Sequence, residues 1–251
     1  MPTPLPVILV TPHAPALGSE LLGAPVTDFS GRLLGSVVDL VVPASMELIA
    51  VVKRSDGGLV CVPMSRLLAR LRKPEPDAEK TKLAPTASVE SFIFSQDPLW
   101  LTGAEPLESA QAVDAAAVQR CRETFLGREA QAAAAGGADS GCPPWSLAQL
   151  LTGSVKDSGG KQVGAVKDVA VNLGRAQAAY LVISAADTGG RLHGAATGLL
   201  HCGEGGLSLQ LPITARELKV SFPGLDLEHL PLQPDLPSLG PAAPVADTTN
   251  S

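Results

Sequence analysis

Aromatic residues are scarce in this chain: two Trp, one Tyr and five Phe among 251 residues. Any core must therefore be built from Val, Leu, Ile and Ala. Long apolar runs are missing too. No stretch approaches ~20 apolar residues without a charge, so no membrane-spanning helix is expected. The run "PVILV" (Pro6–Val10) is too short for the apolar part of a secretory signal, and no Lys or Arg precedes it. A soluble, cytoplasmic chain is expected, with a peripheral place on the cytoplasmic face of a membrane left open. An excess of positive charge is also lacking. Nineteen basic residues face 25 acidic ones, a net charge of −6. Such a chain repels phosphate backbones, which argues against a nucleic-acid partner. The basic stretches are short: Lys53-Arg54, and Arg66 to Lys73.

Recognisable reaction chemistry is absent as well. The four cysteines (Cys61, Cys121, Cys142, Cys202) form no C-x-x-C pair and have no histidine at zinc-finger spacing. They read as reduced thiols. An even count leaves a disulfide open, for example Cys121 with Cys142, but no spacing favours one. No G-x-x-x-x-G-K-[ST] phosphate loop, G-x-S-x-G elbow or H-E-x-x-H occurs. His13 and His229 fall in loops or tails. His193 and His201 flank "AATGLL" and read as a polar hairpin residue and a strand-end residue. The alternative is a proton or metal relay with Asp187 and Glu204. No catalytic residue, cofactor site or metal site is therefore assigned, and an enzyme is not expected.

A repeat is what the chain does contain. "DFSGRLLGSVVDLVV" (Asp28–Val42) and "DSGGKQVGAVKDVAV" (Asp157–Val171) have the same length, with Asp, Gly, Gly and Asp in the same places. A shift of 129 residues puts Asp28 on Asp157, Gly31 on Gly160, Gly35 on Gly164 and Asp39 on Asp168. The period is too long for a solenoid, so two copies of a small domain are expected. Asp-x-x-Gly reads as a turn in which Asp bonds the backbone two residues on and Gly takes positive φ. Gly35 and Gly164, inside strands, permit a bulge or sharp bend. Asp28 and Asp39 should not converge, so a structural role is expected for the repeat.

In copy one, strands are expected at Ala24–Asp28, Leu34–Val42, Leu48–Lys53, Leu59–Pro63 and Ser88–Phe94, with an Asp-Gly hairpin at "RSDGG". "MSRLLARL" (Met64–Leu71) reads as a helical turn or short helix. Copy two follows with Ser154–Asp157, Gln162–Asn172, Ala178–Ser184 and the alternating "LSLQLPI", then a short helix capped by Thr214. The Ala-rich stretch from Pro106 to about Ala135 predicts a linking helix with Val118, Cys121 and Phe125 as a thin apolar stripe. The expected layout is a flexible tail (1–17), a first domain (18–104), a helical linker (105–144), a second domain (145–230) and a disordered tail (231–251).

The order of strand, Asp-x-x-Gly-x-x-x-Gly, strand containing Asp, hairpin and "VPMSRL" (Val62–Leu67) resembles the PRC-barrel family. That family is named for the H subunit of photosynthetic reaction centres and includes the C-terminal half of a ribosome maturation factor. In copy two the resemblance lies in Gly153–Val171, Ala178–Ser184, Ala195–Leu200 and Gly205–Asp226. It departs from the family pattern at "AATGLL". The resemblance implies an all-β chain: two small PRC-type antiparallel barrels in tandem, joined by a helix.

It further implies a non-catalytic protein-interaction module, a peripheral subunit or assembly factor of a larger complex. That complex would be reaction-centre-like or otherwise membrane-associated. The alternative is an accessory protein of ribosome maturation that binds a ribosomal protein. The candidate interaction surface comprises Met64, Arg66, Arg70, Arg72 and Trp100. No cofactor is expected, and the sequence names no small ligand.

Overall fold

The computed structural model describes residues 15–43, 47–72, 86–110, 113–126, 143–186, 189, 191–203, 206–222 and 224–233. The chain is rich in strand, and each repeat builds six strands of a seven-stranded sheet. The first sheet holds β2 (Pro25–Thr27), β3 (Leu33–Val42), β4 (Ile49–Arg54), β5 (Leu59–Pro63), β6 (Leu67–Leu71) and β7 (Val89–Phe94) in the order β5-β4-β3-β2-β7-β6. The second holds β9 (Ser154–Lys156), β10 (Gln162–Asn172), β11 (Gln177–Ala185), β12 (Leu192–Ala195), β13 (Leu200–Gly203) and β14 (Gly206–Gln210) in the matching order β12-β11-β10-β9-β14-β13.

Two features depart from a pair of antiparallel barrels. Both sheets are mixed, because β7 runs parallel to β2 and β14 runs parallel to β9. Neither sheet is closed: no ladder among the described residues joins β5 to β6 or β12 to β13. The reason is local. A 3-10 turn, Met64–Arg66 in the first copy and Thr197–Leu199 in the second, turns the corner between those strands in place of a hairpin ladder.

The repeated Asp and Gly residues build turns and bends. The Asp28 carboxylate accepts the amides of Ser30 and Arg32, and that of Asp157 accepts the amides of Gly159 and Lys161. Gly31 and Gly160 hold the positive φ (84° and 79°) that each turn needs. Gly35 and Gly164 lie where the neighbouring strand comes closest. A Cβ on either would collide with the carbonyl oxygen of Lys53 or Ser184. The register slips beside these glycines on the β2 and β9 sides, and again between Val37 and Asp39 and between Val166 and Asp168. The second slip is a bulge, which bends the strand and re-aims the side chain that follows.

The two copies exchange their leading segments. β1 (Ala16–Leu17) precedes the first sheet but pairs with β10 of the second, Ala16 opposite Val171. β8 (Trp145–Ser146) precedes the second sheet but pairs with β3 of the first, Trp145 opposite Val42. The same 129-residue shift relates the two pairings, so the exchange is reciprocal about a pseudo-twofold axis. Two residues read as tail, Ala16 and Leu17, are thus part of the sheet. Their apolar side chains fill the space over β10, and both are buried.

Short helices follow the exchanged strands: α1 (Gly18–Leu21) and, after β8, α4 (Leu147–Leu151). Between the sheets in sequence lie α2 (Pro98–Gly103) and α3 (Ala115–Leu126); α5 (Ala215–Ser221) follows the second sheet. α3 starts later than Pro106. Leu107 donates its amide to Leu59 along the edge of β5, and the Asp114 carboxylate then caps Ala117. Val118, Cys121 and Phe125 are buried as their spacing predicts, and Phe125 meets Phe94 edge-on at 6.0 Å. The stretch from 127 to 142, with Cys142, lies outside the described residues. One apolar cluster runs through both copies, from Val26, Phe92 and Phe94 to Val155, Leu181 and Ile183. No helix among the described residues is long and apolar enough to cross a membrane.

Candidate interaction surface

Asp39 and Asp168 follow the bulges and sit at the seam between the copies, both buried. Asp39 accepts the amide of Leu147, the first residue of α4, at 3.2 Å. Asp168 accepts the amide of Ser19 in α1 at 3.0 Å and also its hydroxyl. Each copy therefore caps the helix that leads into the other. A carboxylate here satisfies N–H groups that a helix start leaves without partners. Burial raises the Asp39 carboxyl above its ordinary range, outweighing the opposing amide bonds. Nearby Glu20 is raised too, by burial and then by the charge of Asp168. These carboxylates hold shape; they face helix ends, not an open cleft.

The seam continues through Glu47. Its neighbour Leu48 donates to the carbonyl of Ala176 across the pseudo-axis, and Glu47 itself pairs with Gln177 in an isolated bridge. The Glu47 carboxylate takes Arg122 of α3 at 3.1 Å and the Ser65 hydroxyl at 3.0 Å. Cys61 on β5 and Cys121 on α3 are free and buried beside this pair. The Cys121 thiol is pushed up, first by a hydrogen bond with Cys61 and then by burial. A thiol held protonated is a poor nucleophile, so this cluster fastens a helix to a sheet.

Residues expected to share a surface are dispersed. Met64 is buried at the corner before β6, its amide on the Leu48 carbonyl. "MSRLLARL" is not a helix. After the 3-10 turn it is β6, paired with β7 from Leu67–Phe94 to Leu71–Val89. Its residues, Leu-Leu-Ala-Arg-Leu, show no period-2 alternation; pairing with β7 makes them a strand. Arg66 is half-buried at the Phe94 end, where its carbonyl takes the Ser95 amide. Arg70 faces Glu90 across the ladder at 3.6 Å. Arg72 lies beyond the Val89 end, one strand length (roughly 15 Å) from the end that leads to Trp100. Trp100 is on α2, half exposed.

His193 is fully buried on β12 opposite Ile183, whereas His201 is exposed on β13 at the other end of the strand order. Asp187 and Glu204 lie outside the described residues. The grouping of metal-type ligands among the described residues is Asp226, Glu228 and His229, on an exposed turn. There Asp226 accepts the Glu228 amide and pairs with His229 at 2.9 Å, which lowers its carboxyl. This turn fastens the end of the second copy to the first: Thr86 donates its amide to Glu228 and receives that of Leu230. Just beyond it, Tyr180 donates its hydroxyl to the Pro231 carbonyl, so the span read as tail starts out held.

A groove that the sequence did not disclose lies between the start of β3, the β4–β5 hairpin and α2. It has a volume of about 360 Å³ and is lined by Leu33, Leu34, Arg54, Asp97, Leu99 and Leu101, among others. Arg54 locks its two walls together. Its guanidinium binds Asp56 in the hairpin and the carbonyls of Leu101 and Thr102 at the end of α2. Leu33 and Leu99 on the walls are 57 % and 74 % exposed; Phe29 in the preceding turn and Trp100 beside Leu99 are 68 % and 51 % exposed.

The second copy serves as an internal control. Asp97 and Thr214 both cap their helices, and Leu101 and Leu218 are both buried four residues on. Leu99 and Trp100 thus match Arg216 and Glu217. By the repeat, Phe29 and Leu33 match Ser158 and Gln162. Arg54, opposite Gly35, matches Ala185, opposite Gly164. The fold is made equally well with polar residues at all four exposed positions. Comparison with protein-family models and with curated proteins gives no match, so what the site does rests on this asymmetry between the copies.

Proposed function

We propose that the chain is a non-catalytic protein-interaction module: a rigid two-copy platform that docks on a larger assembly. Apolar side chains exposed on the first copy, where the second has Ser, Gln, Arg and Glu, carry this reading. Scattered exposed apolar residues are ordinary, but a cluster beside a braced groove marks an interaction site. The sequence resemblance to PRC-barrel proteins supports the same reading and adds the finer one, a peripheral subunit or assembly factor of a membrane-associated complex. The test is cross-linking and mass spectrometry in the native host, with the parent chain beside a Leu33→Gln, Leu99→Arg variant. A partner captured by the parent and lost by the variant is expected. A capture list unchanged by the variant, or a chain that captures nothing, overturns the reading.

A further inference from the structure

We infer that the groove between the β4–β5 hairpin and α2 takes a short linear protein segment carrying a bulky apolar anchor flanked by Lys or Arg; this rests on the docking reading above. Three observations select that occupant. The first is size. Phe29, Leu33, Leu99 and Trp100 expose on the order of 500 Å² together, below the ~800 Å² that each partner gives to a standard stable interface. A second copy of this chain would be held too weakly by it. A segment that buries one or two side chains is matched, since about 360 Å³ is near the small end of ligand-holding clefts.

The second is charge. The two guanidiniums that line the groove, Arg32 and Arg54, are each already paired with a carboxylate, Asp28 and Asp56, and the lining adds the carboxylate of Asp97 and, among the described residues, no further cation. The whole chain is acidic. This rim favours a basic flank and disfavours an anionic lipid surface or a nucleic acid. The third is preorganisation. Arg54 ties hairpin and helix together through the chain's own groups, so little ordering cost falls on binding. Ala185 at the matched place in copy two cannot make that brace.

The probe is a phage-displayed library of random dodecapeptides selected on the full chain. Selected peptides are then synthesised and titrated while tryptophan emission is followed in a Trp145→Phe background, leaving Trp100 as reporter. Selected peptides should share one large apolar residue with basic neighbours, and binding should shift Trp100 emission to the blue. Leu99→Arg and Leu33→Gln, which install the residues of copy two, should each weaken binding at least tenfold with the melting temperature unchanged. Arg216→Leu on copy two should leave binding as it was.

Selection that yields no peptide, or peptides indifferent to both substitutions, overturns the inference. Leu99-dependent dimerisation in sedimentation, or Leu99-dependent binding to phosphatidylglycerol vesicles, overturns it in favour of a second copy or a lipid surface. The docking reading fails separately. If the host partner still depends on Leu33 and Leu99 while no linear peptide binds, the platform stands and its partner is a folded surface.

Discussion

At the scale of single residues, Asp39 carries the most weight for its size. Asp39→Ala leaves the amides of Leu40 and Leu147 without their acceptor and should cost about 1–2 kcal/mol, read from urea midpoints. Asp39→Asn keeps an acceptor oxygen and should cost less. The variants also separate in pH. The folded carboxyl lies above the ordinary 3.8, so over that window the native state binds more protons than the unfolded chain. Stability from this group is therefore lost as pH rises through the raised value. Asn has no such titration, and the stability of Asp39→Asn relative to the parent should climb as pH rises through that window. Gly35→Ala, whose methyl meets the Lys53 carbonyl, should destabilise by about 1–3 kcal/mol, whereas Ala at solvent-facing Gly103 should not. The turn roles of Asp28, Gly31, Asp157 and Gly160 were legible in the sequence, because such turns are decided within five residues. The partners of Asp39 and Asp168 were not, since each lies more than a hundred residues away.

At the scale of elements, α3 is held by an apolar stripe and two ion pairs, the exposed Arg120–Glu105 and the more buried Arg122–Glu47. Glu47→Gln removes the charge that Arg122 meets and should cost about 1–3 kcal/mol. Its distinguishing readout is thiol labelling. Cys61 lies beneath α3 and Cys121 on its buried face, so they should react with an aromatic disulfide reagent only at the rate of unfolding in the parent. Glu47→Gln should speed that reaction by loosening the helix; unchanged labelling would show that the ion pair does not hold it. The stripe of Val118, Cys121 and Phe125 is readable because its i, i+3, i+7 spacing keeps one helix face over about two turns. The sequence of β6 reads as a short helix because Leu-Leu-Ala-Arg-Leu is made of good helix formers without period-2 alternation, and pairing with β7 overrides that preference. The groove was invisible for a related reason. Leu33 and Leu99 come from elements 66 residues apart, and their exposure is a property of the fold alone.

At the scale of the whole molecule, the exchange of β1 and β8 makes the copies interdependent. Together with the shared core and the Thr86–Leu230 clamp, it should give a single unfolding transition followed equally by fluorescence and circular dichroism. A protease site placed between residues 127 and 142 gives a sharper check. The cut halves should elute together in size exclusion and separate only in denaturant. Separation under native conditions would show that the seam is weaker than its pairing suggests.

The order in which the ribosome releases the chain gives the exchange a meaning in time. The segment Ala16–Leu21 emerges ahead of every other strand of the two sheets, yet its own sheet partner, β10, follows about 150 residues later. Strand β3 likewise waits for Trp145 and Ser146, about a hundred residues behind it. For most of synthesis the first copy thus carries one strand with no place to go and one place with no strand. Both vacancies fill only as the second copy arrives, so a truncated product would display an unfilled edge. Arrival of the second copy is thereby coupled to concealment of those open backbone edges.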